Sequence, residues 1–292
     1  MKRELIIGTR PSKLALWQAE HVKALLENQF DVTVTLKKIT TKGDKILDRS
    51  LVEVGGKGLF LKEIEDALLA GEVDLAVHSM KDVPHTLPEG LGIAAILKRA
   101  DPSDAWISRE GLRIEDAKEG TLVGTTSLRR KIQLQKCYPG LVFQDLRGNV
   151  DTRIAKLDRG EFGAIVLANA GLKRLGLSDR ITHSLDIVSA VGQGAVGVEC
   201  CNDDNDVCKM VASLNDELTA REVHLEREFL KKVQGSCQTP LGCHVTEDPT
   251  DANCFIMRCF LSKPDGTDYF EKTVGGLWRD GFAIVDGIFS PT

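Results

Sequence analysis

The chain has 292 residues, 42% of them hydrophobic and 28% charged, with a formal net charge of -5. This is the balance of a globular protein of two or three domains, and the acidic excess argues against a nucleic-acid binder, which would need a basic field. With no apolar run of about 18 residues no membrane span is expected, and the start, Met1 to Gly8, is too short in apolar residues for a secretory signal, so a cytoplasmic protein is expected.

In chain order, Leu5-Ile6-Ile7 reads as a strand ending at Gly8-Thr9-Arg10. A helix follows with Ser12 as its N-cap and Leu14, Trp17, Val22, Leu25 and Leu26 on the apolar side. Val32 to Leu36 alternates as a strand does. Phe60, Ile64 and Leu68 fall at helical spacing, with Gly71 as the stop. Asp74 to Val77 is the next strand, breaking into a loop at His78-Ser79-Met80-Lys81-Asp82-Val83-Pro84. The rhythm resumes at Thr121 to Gly124, at Leu141 to Phe143 and at Ala164 to Leu167, each followed by a helical stretch. From residue 216 the character changes. One helix runs to about Val233, with Thr219-x-x-Glu222 as its expected capping box, and strand-like pieces follow at 255–261 and 269–274. Alternating strands and helices predict open α/β sheets, and the tail predicts a smaller α+β domain.

One event recurs: a strand ends in a loop carrying cations or hydroxyls, and a helix follows. Arg10 and Ser12 do this first, then Ser79 and Lys81, then Thr125, Ser127, Arg129 and Arg130, then Arg147 and Arg153. Ligands of open α/β sheets bind outside the carboxyl ends of the strands, where helix N-termini add free N–H groups and partial positive charge. Arginine adds two-pronged recognition of carboxylate or phosphate. The expected site is a polyanion cleft between two α/β domains. No Gly-x-x-x-x-Gly-Lys-Ser/Thr loop is present, which disfavours a nucleotide. Asp82, amid these cations, should stay ionised and suits stabilising a cationic intermediate or passing a proton.

Eight cysteines occupy positions 137, 200, 201, 208, 237, 243, 254 and 259. None forms a tight Cys-x-x-Cys pair, so no structural metal is expected, and free thiols are expected rather than a disulfide framework. Cys237 sits in Gly235-Ser236-Cys237-Gln238-Thr239-Pro240-Leu241-Gly242, whose small residues and proline predict a tight exposed loop. No local histidine makes a Cys–His dyad with it. On these grounds a two-domain solute-binding protein for small anions would share the cleft, but would leave Cys237, Asp82 and a third domain without a purpose.

Taken together and in this order, several stretches resemble the porphobilinogen deaminase (hydroxymethylbilane synthase) family. They are Gly8 to Ala15, Gly56 to Phe60, His78 to Pro84, Gly124 to Arg130, Leu146 to Arg153, Gly171 to Gly176, Gly192 to Ala195 and Gly235 to Gly242. The resemblance implies two periplasmic-binding-protein-like α/β domains, residues 1–98 with 193–215 and residues 99–192, plus an α+β domain over 216–292. It implies an enzyme, a transferase of haem biosynthesis. Such an enzyme joins four porphobilinogen molecules head to tail, releasing ammonia each time, and frees 1-hydroxymethylbilane by hydrolysis. The primer is a dipyrromethane cofactor, joined by thioether to the cysteine matching Cys237. Lys81, Asp82, Thr125, Ser127, Arg129, Arg130 and Gly148 would hold that cofactor. Arg10, Ser12, Gln18, Phe60, Ser79, Arg147, Arg153 and Arg174 would hold substrate, with Phe60 beside a mobile stretch at 42–59. Asp82 would be catalytic. The family also implies a monomer that hands its product to uroporphyrinogen III synthase. Thr126, Asn169, Ser189 and Ser236 depart from the family's usual residues.

Overall fold

The structure, a computed structural model, describes residues 2–45, 60–234 and 239–289. The chain divides into two compact units, residues 1–99 with 195–221 and residues 100–194 with 222–292.

The first unit opens with β1 (Arg3–Thr9), α1 (Lys13–Gln29), β2 (Val32–Lys38) and the single turn α2 (Lys42–Lys45). It continues with α3 (Lys62–Leu69), β3 (Leu75–Ser79), a 3-10 turn over Met80–Asp82 and β4 (Leu91–Ile96). The second unit holds β5 (Asp104–Ser108), β6 (Leu122–Gly124), α4 (Leu128–Cys137), β7 (Val142–Gln144) and α5 (Val150–Asp158). To these it adds β8 (Ala164–Ala168), α6 (Asn169–Arg174) and β9 (His183–Leu185). The chain then returns to the first unit with β10 (Val196–Cys201) and α7 (Asn205–Ala212). α8 (Glu217–Lys232) leads to β11 (Leu241–Asp248), β12 (Asp251–Leu261), β13 (Phe270–Leu277) and α9 (Gly281–Asp286).

Among the described residues the strands form two five-stranded sheets and one of three. The first runs β2-β1-β3-β10-β4 and the second β7-β6-β8-β5-β9. They match strand for strand. In each, the three strands at one side are parallel, and the fourth (β10 or β5) runs antiparallel to both neighbours. The third sheet is an antiparallel meander, β11-β12-β13. The architecture is the expected one: two alike α/β sheets and a smaller C-terminal sheet.

Local sequence explains most boundaries. Ser12 caps α1 by accepting from Ala15 N at 3.4 Å, and Gly71, at φ +66, adopts the left-handed conformation that stops the chain after α3. Two readings need correction. Phe60 lies in a turn before α3 rather than in the helix. The cap of α8 is Asp216, which accepts from Thr219 N at 2.9 Å; Thr219 is buried, and its hydroxyl accepts from Arg99 N.

Each unit has its own apolar interior. Leu5, Ile7, Val22, Leu26 and Val198 meet in the first. In the second, Ile107, Leu157 and Ile165 fill one face of the sheet, and Trp106, Val123 and Val166 the other. Phe229, Phe255 and Met257 fill the space between α8 and the meander. Trp106 is 1% exposed and donates from Nε1 to Leu112 O at 3.0 Å. Trp17 on α1 is half open and stacks on His21, while Trp278 packs against Phe255.

Candidate active-site residues

In the first unit, the ends of β1 and β3 carry the expected residues. Arg10 leaves β1 and meets Asp44 of α2, its Nε donating to Oδ1 at 3.1 Å. Its guanidinium carbon lies 4.1 Å from the centre of the Phe60 ring, a cation–π contact. Burial alone would raise the Asp44 carboxyl; hydrogen bonds and charge from Arg10, with two donors from Thr41, more than offset that and hold it below the usual range. Ser12, counted among the substrate residues, is engaged as the α1 cap. Gln18 is 2% exposed, and its Nε2 donates to Ser79 Oγ at 2.8 Å. It therefore supports Ser79 from beneath. Lys81 and Asp82 form the 3-10 turn that continues β3.

In the second unit, Thr125 follows β6 and its hydroxyl accepts from Ser127 N at 3.2 Å. Ser127 in turn caps α4, accepting from Arg130 N. Arg129 and Arg130, in the first turn of α4, are 5% and 6% exposed. Both converge on Asp104, at the start of β5. Arg129 Nη1 donates to Oδ2 at 2.7 Å, and Arg130 Nε to Oδ1 at 2.9 Å. Backbone carbonyls of Val188 and Val166 take further hydrogens, and Gln193 Nε2 donates to Asp104 Oδ1. Asp104 is fully buried, which alone would raise its carboxyl. The two guanidinium charges override this and drive it far below the ordinary range. One carboxylate facing two guanidiniums leaves the cluster net positive.

The loop after β7 carries Arg147 and Gly148. Arg147 reaches Asp145 at 3.1 Å, and Arg153 Nε donates to Gly148 O at 2.8 Å. Gly148 sits at φ +112, and a Cβ there would stand 2.7 Å from Thr152 Cγ2, so the turn requires glycine. Asn149 then caps α5, accepting from Thr152 N at 2.9 Å. Arg174, at the end of α6, donates to Gly194 O at 2.8 Å; burial lowers its pKa.

Cys237 lies outside the described residues, as does 46–59 of the stretch expected to be mobile. The elements flanking Cys237 are described. Glu226 of α8, wholly buried, accepts from Val245 N on β11 at 2.9 Å and from Gly192 N at 2.6 Å, tying both to the helix. Among the described residues no group of three or more His, Cys, Asp or Glu is arranged to hold a metal, and no helix is long and apolar enough to cross a membrane.

Sequence reasoning missed Asp44 and Asp104. For Asp104 a signal was available: an acid opening the apolar run Ala105-Trp106-Ile107 must be paired if that run is a buried strand. What the sites can do chemically follows from their donors. Arginines, capping hydroxyls and helix N-termini are groups suited to anions such as carboxylates or phosphates.

The chain matches two family profiles. One, over residues 5–209, is described as porphobilinogen deaminase, dipyrromethane cofactor binding domain. The other, over residues 220–285, is described as porphobilinogen deaminase, C-terminal domain. The chain belongs to the porphobilinogen deaminase family. Curated relatives agree along nearly the whole length. The porphobilinogen deaminase of a Nitratiruptor species is 50% identical over 278 residues, covering 94% of this chain and 88% of its own. That of Thiobacillus denitrificans is 49% identical over 284 residues, covering 96% and 92%. Sulfurimonas denitrificans supplies another at 47% over 272 residues, covering 91% and 86%.

Proposed function

We propose the following division of labour for the family's reaction, the joining of porphobilinogen units with loss of ammonia by a hydroxymethylbilane synthase, a transferase of haem biosynthesis. The observation that carries it is the pair Arg129 and Arg130 fixed on buried Asp104 in a segment matched by a dipyrromethane-binding profile. Cys237 anchors the cofactor, and Lys81, Asp82, Thr125, Ser127, Arg129, Arg130 and Gly148 hold it. The bound dipyrromethane supplies the nucleophilic pyrrole carbon on which the product is built.

The chain's own residues do the rest. Arg10, Ser12, Arg147, Arg153 and Arg174 receive the acetate and propionate groups of incoming porphobilinogen; Ser79 also contributes, and Gln18 holds Ser79. Two-pronged guanidinium contacts fix the ring's orientation, so the reacting carbons meet in one geometry. Phe60 offers a face to a pyrrole ring. Loss of ammonia leaves the substrate electron-poor. The Asp82 carboxylate hydrogen-bonds the pyrrole N–H and stabilises the positive charge that develops there. In this reading it also takes the proton released when the ring regains aromaticity.

We further propose a three-domain division at 1–98 with 193–215, 99–192 and 216–292. We read the enzyme as a cytoplasmic monomer whose product passes to uroporphyrinogen III synthase. Intact mass tests the anchor. The purified protein should exceed its sequence mass by one dipyrromethane, and Cys237→Ala should abolish both that excess and porphobilinogen consumption. An unmodified yet active protein would sink the reading.

A further inference from the structure

Behind the end of β3 lies a group of titratable side chains that the reaction as described does not use. His78, 5% exposed, is the residue before Ser79. Its Nε2 lies 2.9 Å from Oε2 of Glu199, a fully buried residue in the middle of β10. Glu65 of α3, 7% exposed, faces the same space. One carboxylate oxygen of Glu199 and one of Glu65 have no hydrogen-bond partner among the described residues. Burying such charge costs free energy, and pairs of this kind are commonly replaceable by apolar side chains without loss of stability. A packed interior gains nothing from them as fillers, so another purpose is required.

Position supplies one. Side chains alternate across a strand, so His78 and Ser79 point to opposite faces of β3. Ser79 is held on the α1 face by Gln18, and His78 on the α3 face by Glu199. Met80 N then donates to Ala195 O at 3.0 Å, and the Met80 side chain is 1% exposed. The strand end is thus gripped on both faces just before Lys81 and Asp82. We infer that the buried His78–Glu199 pair, with Glu65 against it, is a positioning element that sets the Lys81–Asp82 turn for catalysis. The inference rests on Asp82 being the catalytic carboxylate of the family's reaction.

The element is sensitive to protons. Burial first, and the charge of Glu199 second, push the Glu65 carboxyl up to about 7, with His78 opposing. Among the described residues the charged groups bearing on Glu65 are Glu199 from β10, His78 from β3 and its neighbour Asp66 on α3; β1 presents Ile6 to α3, and β4 is the uncharged run Leu91-Gly92-Ile93-Ala94-Ala95-Ile96. As pH rises through 7 the cluster gains one negative charge on Glu65, which repels Glu199 of β10 and competes with it for His78 at the end of β3.

The test uses the cofactor-loaded enzyme. E199Q should keep its dipyrromethane mass, hold KM within about threefold and lose kcat by about tenfold or more, the signature of an interaction made only in the transition state. E65Q should remove an ionisation near pH 7 from the kcat profile. Should E199Q not fold, because it strands His78, the paired H78Q/E199Q variant and E65Q decide. Wild-type kcat in E199Q or the paired variant, or a wild-type pH profile in E65Q, overturns the inference. A wild-type protein that lacks dipyrromethane or fails to consume porphobilinogen would instead overturn the function beneath it, so the two failures are distinguishable.

Discussion

In the first unit Arg10 leaves the end of β1 and meets Asp44, a carboxylate on the four-residue helix α2. In the second, Arg129 and Arg130 follow the equivalent strand β6 and meet Asp104, which is planted in the sheet itself. The strand orders are the same, and the loops that carry the cations stand at the same topological point. The counterions differ in kind. Asp104 is wholly buried and shared by two arginines, so the second unit's cationic pair is a permanent fitting, preorganised before any ligand arrives. Asp44 is a partly open carboxylate that occupies the Arg10 guanidinium, the group proposed above to receive a substrate carboxylate. On the division of labour proposed above, the second unit would hold a resident group and the first would exchange a visiting one.

This contrast can be broken, and the largest expected effect tests where the chemistry resides. Asp82→Asn should keep the cofactor by mass but lower kcat by about 100-fold to 10,000-fold, the usual weight of a positioned acid–base group. A near-normal rate would remove Asp82 from its role. Next comes Asp104→Asn, which leaves two buried guanidiniums without their carboxylate and should cost about 3–5 kcal/mol in denaturant unfolding. The same variant has a pH signature. Because the folded-state pKa of Asp104 is depressed, its stabilising contribution is present in full above the ordinary carboxylate pKa and is lost as pH falls below it toward the folded-state value. The variant should therefore show a weaker acid dependence of stability than wild type; an equal slope would mean Asp104 is not the buried counterion.

Gly148→Ala should cost about 1–3 kcal/mol, since the left-handed backbone at that position and the Thr152 contact both resist a Cβ. Thermal melting of the cofactor-loaded enzyme measures it, and an unchanged melt would count against the turn geometry. The smallest effect sharpens the comparison most. Asp44→Asn removes a partly open ion pair, so stability should change by about 1 kcal/mol or less. The release of Arg10 should lower KM for porphobilinogen. A rise in KM would show that Asp44 orients Arg10 rather than competing for it.

Much of this was legible in the sequence where a rule is local. Ser12, Ser127 and Asn149 cap helices because a short side chain and the next turn's N–H groups are all that capping needs, and those three strand-end loops could be found from that pattern, whereas the turn after β3 has no side-chain cap. Distant pairings were not legible. Asp104 and Arg129 are 25 positions apart, and Glu199 and His78 are 121 apart. Nothing in a buried acid's own neighbourhood names its partner. The same limit explains Arg129 and Arg130: they read as ligand-binding charges, and the structure adds that their fork geometry is already set by the protein. Thr219 shows the opposite failure, a local rule satisfied on paper by the wrong residue when Asp216 stood three positions earlier.

The placement of the three tryptophans has a practical consequence. Trp17 belongs to the first unit and half faces solvent, Trp106 is sealed inside the second unit's sheet, and Trp278 stands against Phe255 of the C-terminal meander. Each region therefore carries its own natural fluorophore in a distinct polarity. Single-tryptophan versions of the protein would let emission colour follow each region separately, without attaching any foreign dye.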